Sequence, residues 1–393
     1  MRKSTVRTAQ QVIQIAGLTL FCLCLYCESF PQANPGVVLH EHSTDPLHRG
    51  ISLFKAGQLA LAEIEFEKAL TEKRQSAQAY YFLGMIAFQQ SKVEQAEQMF
   101  FRAIELNPLY AESYNSLGVL YDRQEKFTQS ERAFQTALRL KANYAKAHFN
   151  LGLSYRRQSK IELAVQEFLY VLQIEPHHNS AHSELGQIYG EQKKYALAAQ
   201  HLEEELLLST APAMTHVRLG EMYFNLSHFH KAISHFVAAT EKDPTLALAL
   251  SHLGYTYKTL GDYEKAQTYL EKALSVDSAN TEASMNLGLL YLDKNELERA
   301  SRLLKATVLL DSNQVEALYH LGRIYLRDGK LAEAVSALQA AIQKCPDHTQ
   351  SYYQLGMAYQ KLNETRLAAE SFQLFKQFER KDRSERKNRK LQY

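Results

Sequence analysis

The chain has 393 residues, 45 basic against 43 acidic, for a formal net charge of +2, so no global field marks it as a nucleic-acid binder. Hydrophobic residues make up 46% and charged residues 22%, which excludes a wholly disordered chain. Four cysteines are too few for a disulfide scaffold, and 23 tyrosines beside no tryptophan and only 16 glycines are an unusual balance.

Arg2, Lys3 and Arg7 precede an apolar run from Ile15 to Cys27, and a polar stretch with Pro31 and Pro35 follows. That run is shorter than the roughly 20 residues a spanning helix needs and fits a signal-peptide core of about 7 to 15. Residues 1–29 are therefore expected to be an export signal or an N-terminal membrane anchor, and residues 30–42 a flexible linker. Cleavage before Phe30, with Ala33 as a second cut site, lipidation at a cysteine ending the apolar run (Cys22, Cys24 or Cys27) and retention as an anchor all stay open. Each fate puts the bulk of the chain outside the cytosol, periplasmic or otherwise extracytoplasmic, with any membrane association running through this segment. Cleavage leaves Cys345 as a single thiol, so the exported chain has to be stable without disulfides.

From Gly50 onward one glycine recurs every 34 residues: Gly84, Gly118, Gly152, Gly186, Gly220, Gly254, Gly288, Gly322 and Gly356. Leucine precedes nine of these ten, and tyrosine follows three residues later from Tyr121 to Tyr359. Each glycine lies in an apolar segment of helical period, where it costs about 1 kcal/mol relative to alanine. A cost repeated in one phase demands a close approach of another helix. Twelve residues on comes Ala62, Ala96 and their equivalents, and the expected tight crossing is between this alanine and the glycine. Four residues further stands phenylalanine or leucine, from Phe66 to Phe372, one helical turn along the same face. Turn segments such as SKVEQ (91–95) join the two helices, and Pro108, Pro176, Pro244 and Pro346 end second helices.

This pattern of Leu-Gly, Tyr, Ala, Phe, Ala and Pro closely resembles the tetratricopeptide repeat (TPR). Ten units follow at 43–76, 77–110, 111–144, 145–178, 179–212, 213–246, 247–280, 281–314, 315–348 and 349–382, leaving a basic helical tail at 383–393. The resemblance implies an all-α fold: a right-handed α-solenoid of tandem antiparallel helix pairs, the TPR superhelix, with first helices lining a concave groove. Stacking then supplies one continuous core instead of several domains.

No Gly-rich phosphate loop or nucleophile elbow is present, and the segments outside the repeats are too short for a catalytic domain. The chain is thus expected to be no enzyme, with no catalytic residue and no cofactor. His148, His182 and His216 share one repeat position, but successive units spaced on the order of 10 Å keep their rings from meeting one metal. They are expected to replace an aromatic contact within each repeat. Two looser clusters, His40 and His42 with His48, and His177 and His178 with His182, are likewise expected to be structural, so no metal is assigned.

In the resembled family, ligands are contacted mainly from first-helix positions 2, 5, 6, 9, 12 and 13. Here these give an aromatic start (Tyr81, Phe82, Met85, Phe88) and a mixed basic section (Asn115, Arg123, Lys146, Phe149, Asn150, Arg156, Arg157). A later section holds Tyr319, Arg323, Arg327, Tyr353 and Met357. The core of this set is Tyr81, Phe88, Asn115, Lys146, Phe149, Asn150, Arg156, Tyr319, Arg323 and Tyr353, a mixture that suits an extended peptide or a partner helix. The expected function is a non-enzymatic scaffold for a protein or peptide ligand, in the setting of envelope or secretion assembly. The alternative is a carrier of a glycan, lipid or other small ligand in the aromatic groove. The lysine and asparagine of a chaperone-tail clamp are missing at positions 5 and 9, and asparagine at position 6 occurs only as Asn150 and Asn286.

Two departures stand out. Glu205 replaces the small residue of the second helix in the fifth unit, where a carboxylate has to reach solvent or find a cation or else destabilise the packing, so the junction with the sixth is expected to be looser. From Lys376 to Tyr393 there are eight basic and three acidic residues, expected to continue the last helix while Phe372, Phe375 and Phe378 cap the stack.

Overall fold

A computed structural model of the chain describes residues 45–72, 75–207 and 212–390, with 382–390 by backbone alone. The expected export signal, the linker, His40, His42 and the last three residues of the tail lie outside the described residues. Twenty helices and no strand occur among the described residues.

The chain divides into two compact units, one ending at Lys193 and one beginning at Lys194. The first unit holds α1 (Pro46–Lys55), α2 (Leu59–Glu72), α3 (Ala77–Gln89), α4 (Val93–Leu106), α5 (Ala111–Arg123), α6 (Phe127–Leu140), α7 (Ala145–Arg157), α8 (Ile161–Ile174) and α9 (Asn179–Glu191). The second holds α10 (Tyr195–Leu207), α11 (Ala213–Asn225), α12 (Phe229–Lys242), α13 (Ala247–Thr259), α14 (Tyr263–Val276), α15 (Thr281–Asp293), α16 (Leu297–Leu310), α17 (Val315–Arg327), α18 (Leu331–Lys344), α19 (Thr349–Lys361) and α20 (Thr365–Lys390). The boundary between the two falls inside the turn of the fifth repeat.

Within each unit every helix packs on the next, and first helices also touch first helices one repeat on, α3 with α5 and α5 with α7, and α11 with α13 and α13 with α15. The turn between paired helices is built the same way each time. Its middle residue has a positive φ, from Gly57 through Ser91, Glu125, Ser159, Lys193, Ser227, Gly261, Asn295 and Gly329 to Asn363. In the second repeat Lys92 N–H bonds to Ala87 O (2.9 Å) and Ser91 N–H to Phe88 O (3.1 Å), the paired bonds of a Schellman motif. At the far end of second helices, Asn107, Asp243, Asp277 and Asp311 accept from the backbone N–H two residues on, which turns the chain into the next repeat.

The core is a column of identical contacts. The expected partner of the repeat glycine is corrected: the phenylalanine or leucine sixteen residues on, not the alanine, fills the space above it. A Cβ on Gly118 would lie 2.6 Å from Phe134, and one on Gly84 2.7 Å from Phe100. The alanine is equally buried, 0% exposed at Ala62, Ala96, Ala164 and Ala266, and the Ala266 carbonyl lies 3.1 Å from a Cβ on Gly254.

The repeat tyrosine reaches back to the second helix of the preceding unit. Tyr121 O–H donates to Glu97 (2.6 Å), Tyr155 to Glu131 (3.1 Å), Tyr223 to Glu203 and Tyr291 to Glu271 (3.0 Å). Burial, then the carboxylate, pushes Tyr155 and Tyr223 up to about 12, so both stay protonated donors. At the end of the second unit, Phe372 fills the Gly356 notch (2.7 Å) and Phe375 and Phe378 pack on Tyr353 (5.4 Å) and Tyr352 (5.3 Å). The last helix therefore covers the final repeat and continues to Lys390.

Glu205 is 3% exposed, and its Oε1 accepts from Thr215 Oγ1 at 2.8 Å, on the first helix of the sixth repeat. The carboxylate thus ties α10 to α11. The preceding segment, 208–211, lies outside the described residues.

Candidate functional site

The first-helix face carries the residues expected to meet a ligand. In the first unit most of its expected ligand residues are engaged internally. Asn115, Phe149 and Asn150 are buried (3%, 7% and 4% exposed), which corrects their assignment to an open groove. Asn150 Nδ2 donates to Asn115 Oδ1 of the preceding repeat at 3.0 Å, and the Phe149 ring lies against Phe168 and His178 of its own repeat. Arg156 bonds to Glu184, to Gln187 (3.4 Å) and to Glu191 (3.0 Å) on the following first helix. Arg157 bonds to the fully buried Asp122. The half-buried Tyr81 packs edge-on against Phe82 and Tyr110, each at 5.2 Å. Phe88 lies under the Arg123 guanidinium at 4.1 Å, and Lys146 is exposed.

In the second unit Tyr319 is 7% exposed, so it too is core instead of groove. It is packed between His320 (4.9 Å) and His348 (5.2 Å), with exposed Arg323 over its ring at 5.6 Å. Burial, then the Arg323 and Lys258 charges, pushes His320 down to about 4. Tyr353 is 42% exposed beside Phe372 and Phe375.

The open part of the face lies elsewhere, along α13 and α15. A cleft of about 380 Å³ is lined by Tyr255, Thr281, Glu282, Met285, Asn286, Leu289 and Gln314. Tyr255 is 39% exposed with Phe224 of α11 at 5.2 Å. Asn286 is 7% exposed and has no hydrogen bond within the described residues. His252 links three repeats on this face, with Nε2 2.9 Å from Glu221 and Nδ1 3.5 Å from Glu282. Burial works against its charged form, but Glu221 and Glu282 together raise its pKa. Tyr255, Met285 and Leu289 are residues that the sequence selection passed over; the same positions 5 and 9 in the seventh and eighth repeats would have found them.

The three histidines at the shared position each bond inside their own repeat or its entry turn. His148 pairs with Glu167 (2.6 Å) and Ala142 O (3.1 Å), His182 with Pro176 O (3.0 Å), and His216 faces His235 (3.3 Å). His178 caps α9, accepting from Ala181 N–H at 3.2 Å. Among the described residues no group of three or more His, Cys, Asp or Glu side chains is arranged to hold a metal ion, and no helix is long and apolar enough to cross a membrane.

Tetratricopeptide-repeat families match residues 77–110, 115–177, 259–324 and 349–381, and a TPR repeat family matches 322–363. Together they cover more than half of the chain. No curated protein matches it. Among solved structures, MamA is 25% identical over 42% of this chain and 97% of its own, with a TM-score of 0.39. YrrB, described as a TPR protein with an unusual peptide-binding site, is 19% identical over 48% and 98%, TM-score 0.42. The pilF protein of Pseudomonas aeruginosa is 20% identical over 53% and 94%, TM-score 0.45. With helix pairs of 34-residue period carrying the family matches, the chain is a tetratricopeptide-repeat protein.

Proposed function

We propose that this protein is a non-enzymatic scaffold that holds a peptide or a partner protein on the first-helix face of its repeats. The observation that carries the reading is the open cleft of the second unit, where apolar side chains and an amide stay accessible on the first-helix face. Such an island of exposed aromatic and apolar surface among satisfied polar groups is the composition of a binding hot spot. The basic start and short apolar run at the N-terminus support a place outside the cytosol, at or near a membrane, where assembly of envelope or secretion machinery is the fitting task.

The test is capture by the tagged full chain from envelope extracts, with mass spectrometry of what is retained. A defined protein partner that is lost on Tyr255→Ala with Met285→Ala, in a variant that keeps its helical spectrum, is the expected result. A small molecule retained without any protein would overturn the scaffold in favour of a carrier. Accumulation of the unprocessed chain in the cytosol would overturn the location.

A further inference from the structure

We propose that the cavity between α6 and α8, on the second-helix side of the first unit, is a second docking site, and that its occupant is an acidic amphipathic helix of a partner protein. This goes beyond the scaffold reading, which concerns the first-helix face.

The cavity itself is the first reason. It measures about 780 Å³, within the ~300 to 1,000 Å³ range of ligand sites. Leu151 and Tyr155 of α7, 2% and 5% exposed, form its floor. One wall is Arg132, Gln135, Thr136 and Arg139 of α6, and Glu167 of α8 stands opposite.

The second reason is charge. Arg132 makes no hydrogen bond or ion pair among the described residues, and Arg139 reaches only the Thr136 hydroxyl, at 2.9 Å. The acids nearby are already engaged. Glu131 accepts from Tyr155 at 3.1 Å and from Gln135 at 3.2 Å and has Lys160 at 3.5 Å, while Glu167 is held by His148 at 2.6 Å. The wall therefore carries two positive charges without an internal counter-charge. Both arginines are exposed, and their seven-residue separation is two turns, about 10 Å along the helix. No other repeat has a basic residue at both equivalent positions; the neighbouring repeats carry Gln98 with Glu105 and Gln166 with Gln173. The pair is thus no part of the packing that recurs every 34 residues.

The opposite rim is the third reason, because it is apolar. Leu163, Glu167 and Tyr170 follow one another at spacings of four and three, so they share one face of α8. Leu163 is 40% and Tyr170 51% exposed, and stacking on His148 at 5.4 Å steadies the Tyr170 ring. An aromatic side chain already held in place loses little freedom on binding. A basic rim and an apolar rim, each two turns long, complement a helix with carboxylates two turns apart beside an apolar stripe. A lone anion would use the arginines and leave Leu163 and Tyr170 in water.

The immobilised full chain would be panned with a library of random hexadecapeptides, and selected peptides measured by fluorescence anisotropy. Peptides with Asp or Glu seven residues apart, next to Leu or Phe, are expected. Their affinity should fall about tenfold or more in the chain carrying Arg132→Gln and Arg139→Gln, and again in Tyr170→Ala. Neither arginine belongs to the core, so the helical spectrum and melting temperature should stay those of the parent. Charge reversal gives a second readout: a chain with Arg132→Glu and Arg139→Glu should bind the same peptide once its acids are replaced by lysine. Acidic peptides held equally by the parent and the glutamine variant would overturn this site; if they are lost on Tyr255→Ala, the first-helix scaffold stands. Arginine-dependent binding to phosphatidylglycerol vesicles with no peptide selected would overturn the polypeptide occupant in favour of a lipid surface. No peptide selected and no vesicle bound would overturn the site outright, while a partner captured from envelope extracts in a Tyr255-dependent way would keep the scaffold reading.

Discussion

Replacing Gly118 by alanine would put a methyl carbon 2.6 Å from Cδ1 and Cε1 of Phe134 and 2.9 Å from its Cγ. Ordinary carbon contacts lie near 3.5 to 4.0 Å, so ring and methyl have to part by about 1 Å. Phe134 is 0% exposed and its ring is rigid, so the displacement passes into α5 and α6. Overpacking of this kind costs typically about 1 to 3 kcal/mol, and alanine's better helix propensity returns about 1 kcal/mol. The expected net is a loss of up to about 2 kcal/mol. Gly288 provides the internal control. Its virtual Cβ lies 3.1 Å from Leu304, a flexible side chain that has to give by only a few tenths of an ångström, so Gly288→Ala should be close to neutral. Urea unfolding of each variant, with amide exchange reporting on α5 and α6 separately from α15 and α16, measures both. Gly118→Ala no less stable than the parent chain, or both substitutions costing the same, would refute the close-approach explanation of the repeat glycine.

The turn between paired helices predicts opposite signs for opposite substitutions: Ser159 has a φ of 59° and Gly261 one of 82° with nothing within 4 Å of its virtual Cβ. Ser159→Gly should stabilise by about 0.5 to 1 kcal/mol and Gly261→Ala destabilise by about 1 kcal/mol, since a side chain in the left-handed region costs about 1 to 2 kcal/mol; equal signs in thermal melts would contradict this. Protonation should divide the chain as well. His216 and His235 lie below the ordinary imidazole range, first through burial and then through nearby positive charge, so the unfolded chain takes up protons that the folded sixth repeat refuses. Their contribution is present above about pH 6.5 and is lost as pH falls. His148 is held above that range, chiefly by its hydrogen bond to Glu167, so its contribution is present below about pH 6.5 and is lost as pH rises through the raised value. Amide protection, corrected for intrinsic exchange, should therefore fall on acidification in α11 and α12 and rise in α7 and α8; changes of the same sign in both would refute it.

The glycine phase, the following tyrosine and the second-helix phenylalanine could be read in sequence because each acts within one repeat or across one junction, and the same contact recurs every 34 residues. The glycine's partner was misassigned for a related reason: spacing along a helix places alanine and phenylalanine on one face, and only the crossing of the two helices shows whose side chain reaches the notch. The left-handed turn residues carried almost no signal, since serine, glutamate, lysine and asparagine occupy the conformation as well as glycine. There the turn geometry overrides local preference.

The sequence by itself determined the repeat, the helix pairs and the covering of the last repeat by Phe372, Phe375 and Phe378, because short-range periodic packing is written in residue type and spacing. Which first-helix side chains remain open was decided only by the tertiary structure. Asn150 and Asn286 hold the same place in their repeats, but one finds Asn115 on the preceding first helix and the other finds Ser251 turned away to Asn280. Whether a polar group at such a position is spent inside the stack or left for a ligand depends on the side chain one repeat away, and on which way that side chain turns.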